Sequence, residues 1–248
     1  MSSNGQKLIN TVSLGASITV YFLSVLKVLK PFYEVPLWKS SIAVPGQSNI
    51  LGCVVANGVF ACCWLANHWI SSQSDRINSV GMYFPLSVIS YAAWLIIFVL
   101  STSSVVYVLC SVILLLGLAS SYALYKSQYS WLDTGRVGFQ LVVDCFASFN
   151  FVFICYFFSL SVLHSLKYLK ADAFIPTDVY SIIPFLIGNV FSAIACLSRW
   201  DPASPLTSAT LSVLLQKNMT VSIILVIVNG ALVVYCVVKR RTFSILLP

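Results

Sequence analysis

Seven stretches of this chain run for about twenty residues or more with scarcely a charge, and polar clusters separate them. They cover residues 11–29, 50–71, 78–100, 103–125, 137–162, 178–198 and 218–238. A helix needs roughly 20 apolar residues to cross the hydrocarbon core of a bilayer, so each stretch reads as a spanning helix. Hydrocarbon offers the backbone no hydrogen-bond partner, which leaves only helices or a closed barrel. Unbroken apolar runs lack the period-two alternation of a barrel strand. The pattern therefore predicts an all-α fold: a polytopic transmembrane helical bundle of about seven spans. It forms a single integral membrane domain over residues 1–248, with no soluble domain.

Composition agrees. The chain is 59% hydrophobic and 8% charged, against about 25% charged for a soluble domain. Its net charge of +7 comes from 14 basic and 7 acidic residues, most of them between the apolar runs. That placement suits lipid headgroups and topology signalling, and it excludes nucleic acid as a partner. All eight cysteines fall in apolar stretches without metal or redox spacing, so they read as packing residues.

An odd span count puts the chain ends on opposite sides. Lys7, Arg76, Lys126, Arg136, Arg199 and Lys217 then share the N-terminal side. Lys27, Lys30, Lys39, Lys167, Lys170, Lys239, Arg240 and Arg241 share the other. The richer side, with its Lys-Arg-Arg cluster, is expected in the cytoplasm together with the C-terminus. The first span reads as an uncleaved helix without an Arg-rich presequence, and spans of this length point to the endoplasmic reticulum or another endomembrane. Between the sixth and seventh spans, residues 199–217 open on Trp-Asp-Pro and hold a mildly apolar stretch too short to span. That stretch is expected to form an interfacial or re-entrant turn.

Polar residues inside spans are the candidate chemistry, because burying a charge at bilayer depth costs about 2.5–3.5 kcal/mol on insertion scales. Asp144 reads as the sole acid well inside a span. Gln140, Asp144 and Ser148 recur at i, i+4 and i+8, so they share one helix face. The stripe either hydrogen-bonds a neighbouring helix or contacts a ligand, and Asn57, Asn67, Asn189 and Asn229 are its candidate partners. Trp64 and Trp94 lie deep in their spans, away from the interfaces where tryptophan gathers. Gly117 and Ser121 form a small-xxx-small pair suited to close helix approach. No zinc-protease, nucleophile-elbow or phosphate-loop motif is present, and no metal-ligand set. The chain is accordingly read as a non-enzyme without metal or cofactor.

The stretch INSVGMYFPLSVISYAAWLIIF, residues 77–98, resembles the helix with an Asn-Ala-x-Trp motif in the tryptophan-rich sensory/translocator protein (TspO/MBR) family. Ala92 and Trp94 match it, and Tyr91 stands in place of the motif asparagine. WLDTGRVGFQLVVDCFASFN resembles the family helix that ends in Ala-Asn, with Asn150 on that asparagine. There Val142 replaces a tryptophan and Asp144 a small polar residue. The resemblance covers residues 50–240 and implies a helical bundle with a pocket for a porphyrin- or sterol-like ligand.

Together these readings give a candidate ligand-binding set of Trp64, Tyr91, Trp94, Gln140, Asp144, Ser148 and Asn150. The expected function is non-catalytic binding or transport of an apolar or amphipathic small molecule in the bundle. The alternative is a structural or assembly subunit of a larger membrane complex. The expected partners are correspondingly the lipid bilayer, an apolar ligand and other membrane proteins.

Overall fold

The computed structural model describes residues 3–25, 47–70, 80–100, 104–128, 139–168, 177–199, 201–215 and 219–246. These form helices α1 (Ser3–Val25), α2 (Gln47–Ile70), α3 (Tyr83–Leu100), α4 (Ser104–Gln128), α5 (Phe139–Tyr168), α6 (Thr177–Arg199), α7 (Ala203–Leu215) and α8 (Met219–Leu246). Among the described residues there is no strand. Among the described residues, five helices are long and apolar enough to cross a membrane: α2, α3, α4, α5 and α8. α1 and α6 cover the first and sixth predicted stretches but do not reach that measure, so five of the seven expected spans meet it.

α5 is the axis of the bundle. Across its apolar segment Phe146–Leu163, 89% of the residues are buried, against 17% for α8 at the periphery. α2, α4, α6 and α7 pack on α5, and α3 reaches it through aromatic side chains. With apolar lipid outside, association rests on close packing and on polar contacts rather than on burial from water. α1 follows that logic: Gln6, Asn10, Ser13 and Ser17 face inward and are buried, while Leu8, Val12 and Phe22 face out. Ser17 Oγ donates to the Val88 carbonyl at 3.0 Å. The Gln6 amide donates to the carbonyl of Gly81, a glycine that opens α3 at φ +49°, where a side chain would be strained.

Contacts between helices give the chain direction. Thr11 meets Trp69, Trp64 meets Phe84, Phe98 meets Tyr107, Tyr125 meets Phe151, and Tyr156 meets Phe185. Each successive helix from α1 to α6 is thus antiparallel to the one before. α6 and α8 run parallel: Asn189 meets Asn229, and one to two turns further along both helices Cys196 meets Cys236. α7 lies between them in the opposite sense, with Ser212 near its end accepting from Ser222 near the start of α8 at 3.1 Å. The short stretch expected to be a re-entrant or interfacial turn is a 13-residue helix that reverses the chain once more. Eight alternating helices bring the start of α1 and the end of α8 to the same end of the bundle. This corrects the expectation of opposite ends, which followed from an odd count.

α3 and α4 make the closest helix approach for which a glycine is responsible. A Cβ built on Gly117 would lie 2.9 Å from the Cβ of Ser90. Gly117→Val is therefore expected to destabilise the protein by about 1–3 kcal/mol through overpacking. Ala119→Leu, two residues on and facing outward, should change stability by less than about 0.5 kcal/mol. Thermal unfolding in detergent reads both.

Candidate functional site

The five sequence candidates whose side chains are described, Trp64, Tyr91, Trp94, Ser148 and Asn150, do not converge on one point. Trp64 of α2 is 1% exposed and stacks on Phe84 at 4.3 Å, with the His68 ring edge-on at 3.8 Å. Tyr91 and Trp94 belong to a separate aromatic column. Tyr91 stacks on Trp94 at 5.3 Å, Trp94 on Phe98 at 5.3 Å, and Phe153 and Phe157 of α5 close against them edge-on. Such pairs contribute roughly 0.5–1.5 kcal/mol each beyond their buried area. The column fills the interior between α3 and α5 and fastens the two helices together. The Tyr91 hydroxyl is buried, with no hydrogen-bond partner among the described residues.

Asn150 holds α5 to two neighbours. It accepts from the Asn57 amide of α2 at 3.3 Å and donates to Ser87 Oγ of α3 at 3.4 Å. The acceptor of Asn57, Oδ1, is buried with no partner among the described residues. Gln140 and Asp144 lie in the first turns of α5, and their side chains are outside the described residues. Ser148, the described member of their stripe, is fully buried and turns toward Asp201.

Asp201 is the polar group that sequence reasoning passed over. It is 0% exposed. Its Oδ1 accepts the backbone N–H of Ala203 at 2.8 Å, so it caps the N-terminus of α7. Its Oδ2 accepts from Ser148 Oγ at 2.7 Å, Ser204 Oγ at 2.5 Å and the Tyr125 hydroxyl at 3.2 Å. One carboxyl group thus ties α4, α5 and α7 together. The signal lay in the order Asp201-Pro202-Ala203-Ser204: a capping residue, then proline at the first helical position. A loop acid is thus drawn fully into the protein, outside the predicted spans.

Beside this network a groove of about 340 Å³ opens between α4 and α6, floored by α5. Leu115, Tyr122 and Tyr125 form one wall, Phe191 and Ser198 the other, and Phe151 the floor. Leu115, Tyr122 and Ile194 on its rim are about half exposed, so the groove faces outward. Tyr125 joins it to the interior: its ring stacks on Phe151 at 5.8 Å while its hydroxyl reaches Asp201. None of the five candidates with described side chains lines the groove. Among the described residues, no group of His, Cys, Asp or Glu could hold a metal ion.

No family model, curated protein or solved structure matches the chain.

Asp201→Ala removes the cap, which is worth about 1 kcal/mol, and strands three buried hydroxyl donors, each costing about 1–3 kcal/mol. The expected result is a loss of at least about 3 kcal/mol, whereas Ser148→Ala should cost about 1 kcal/mol. Denaturation of the purified protein in mild detergent measures the difference. Equal, small losses would show that the carboxyl group does not organise this region.

Proposed function

We propose that this chain is a non-catalytic multi-pass membrane protein that binds or moves an apolar or amphipathic small molecule. The observation that carries the reading is the groove between α4 and α6. It is an apolar recess that opens where a spanning bundle meets lipid, and its wall residue Tyr125 is hydrogen-bonded to buried Asp201. A ligand entering there would leave hydrocarbon without crossing water. Orientation joins the same proposal. Arg199 closes α6, and Arg240 and Arg241 lie in the last turns of α8, at the end of the bundle that also holds the start of α1. By the positive-inside rule that end faces the cytoplasm, with the C-terminus, and an endomembrane such as the endoplasmic reticulum is the proposed site. The relationship to the tryptophan-rich sensory/translocator family stays part of this proposal, supported by the inward placement of Trp94 and Asn150.

The assembly-subunit reading has one observation on its side. α8 is the least buried of the five long apolar helices, and its outward residues Ile223, Ile227 and Val234 would suit a partner helix as well as lipid.

Palmitic acid carrying a diazirine, applied to the full-length protein in lipid nanodiscs, tests ligand binding. Labelling should saturate with probe and fall on residues 115–125 and 191–198. Ala119→Trp, which fills the groove from an exposed position, should weaken it by about tenfold, or 1.4 kcal/mol. Leu116→Trp, on the outer face of the same helix, should leave it unchanged. Unsaturable labelling spread over all exposed positions would overturn the reading.

A further inference from the structure

The parallel helices α6 and α8 meet along a seam with a seven-residue repeat. Asn189 faces Asn229, and seven residues further along both helices Cys196 faces Cys236. Positions seven apart stay on the facing sides of two helices packed side by side, so the two contacts lie on one line. An asparagine pair at such a position fixes the register, because sliding either helix leaves its amide unmatched in apolar surroundings. The Asn229 amide donates to Asn189 Oδ1, and the register this sets brings the two free thiols together. Cys196 Sγ donates to the Leu232 carbonyl at 3.6 Å, and Cys236 Sγ donates to the Cys196 carbonyl at 3.5 Å. The two thiol groups lie within hydrogen-bonding reach of each other.

Both cysteines are buried, yet their neighbours Leu197, Tyr235 and Val237 are exposed, so the thiols sit one side chain below the outer surface. Cys236 lies three residues before Lys239, where the apolar span of α8 ends, or about 5 Å at the helical rise of 1.5 Å per residue. The apolar cover keeps out a charged, bulky oxidant such as glutathione disulfide, whereas a neutral hydroperoxide dissolves in it. We propose that Cys196 and Cys236 form a dithiol site that membrane hydroperoxides oxidise to a disulfide, fastening α8 to α6. One thiol attacks the peroxide oxygen, becoming a sulfenic acid and releasing an alcohol. The second thiol attacks that sulfur, the S–S bond forms and water leaves. The dithiol thereby gives up two electrons and two protons, and the hydroperoxide is reduced to alcohol and water. Burial slows the first attack, and the adjacent thiol traps its product before further oxidation. Closing the pair to the roughly 2.05 Å of a disulfide takes side-chain rotation and a small approach of the helices. α8, the least buried of the long apolar helices, is free to make that approach.

Cumene hydroperoxide, applied to the full-length protein in lipid nanodiscs, tests the site. The protein is then alkylated with N-ethylmaleimide, digested without reduction and read by mass spectrometry. The peptides holding Cys196 and Cys236 should be recovered joined, from protein that still runs as a monomer, and dithiothreitol should separate them. Cys196→Ser and Cys236→Ser should each lose the cross-link, with the surviving thiol passing to sulfinic acid. The wild-type measurement decides the matter whether or not the serine variants fold. Recovery of both cysteines as alkylated thiols, under conditions that oxidise the exposed Cys62, overturns the proposal. Cross-links that join two copies of the chain, or that link either cysteine to a different one, overturn it as well.

Discussion

Inside hydrocarbon every helix end must find its hydrogen-bond partners within the protein, and Asp201 supplies one for the first turn of α7. A 13-residue helix is about 20 Å long, well short of the hydrocarbon thickness. Its N-terminus consequently lies buried, where unmet N–H groups would be costly. The cap at Ala203 meets that need, and the hydroxyls of Tyr125, Ser148 and Ser204 satisfy the other carboxyl oxygen. This is why α7 packs against α5, α6 and α8 as a full member of the bundle. The extra reversal it introduces brings both chain ends to one end of the molecule.

The rest of the interior is built from shape and aromatic contact. The column of Tyr91, Trp94, Phe98, Phe153 and Phe157 fills the space between α3 and α5. Gly117 permits α4 to close on Ser90. Polar links are few and cross between helices: Asn57 to Asn150 to Ser87, Ser17 to Val88, and Asn229 to Asn189. Where α4 and α6 fail to meet over Phe151, the groove results. Its wall residue Tyr125 connects the outward surface with the Asp201 network.

The all-helical, membrane-embedded character was legible in the sequence because apolar length is a direct consequence of bilayer thickness. Ser148 faces the interior as its polar stripe suggested, and Trp64, Trp94, Tyr91 and Asn150, singled out as ligand candidates, are buried as well, since deep aromatics and polar side chains prefer protein to lipid. Their separation into different neighbourhoods was not legible, because it depends on helix rotation and neighbour choice. Asp201 was missed for a different reason. It falls between apolar stretches, and a loop acid next to proline reads as surface unless the following segment is recognised as a helix needing a cap. The inward stripe of α1, Gln6, Asn10, Ser13 and Ser17, was passed over likewise, because its first members precede the apolar run.

The most direct test of the account is the sidedness of the two chain ends. With an epitope tag at each terminus, protease protection in sealed microsomes should show both tags on the same face, cytoplasmic and cleaved without detergent. Protection of one tag and cleavage of the other would contradict the reversal by α7, and with it the role assigned to Asp201.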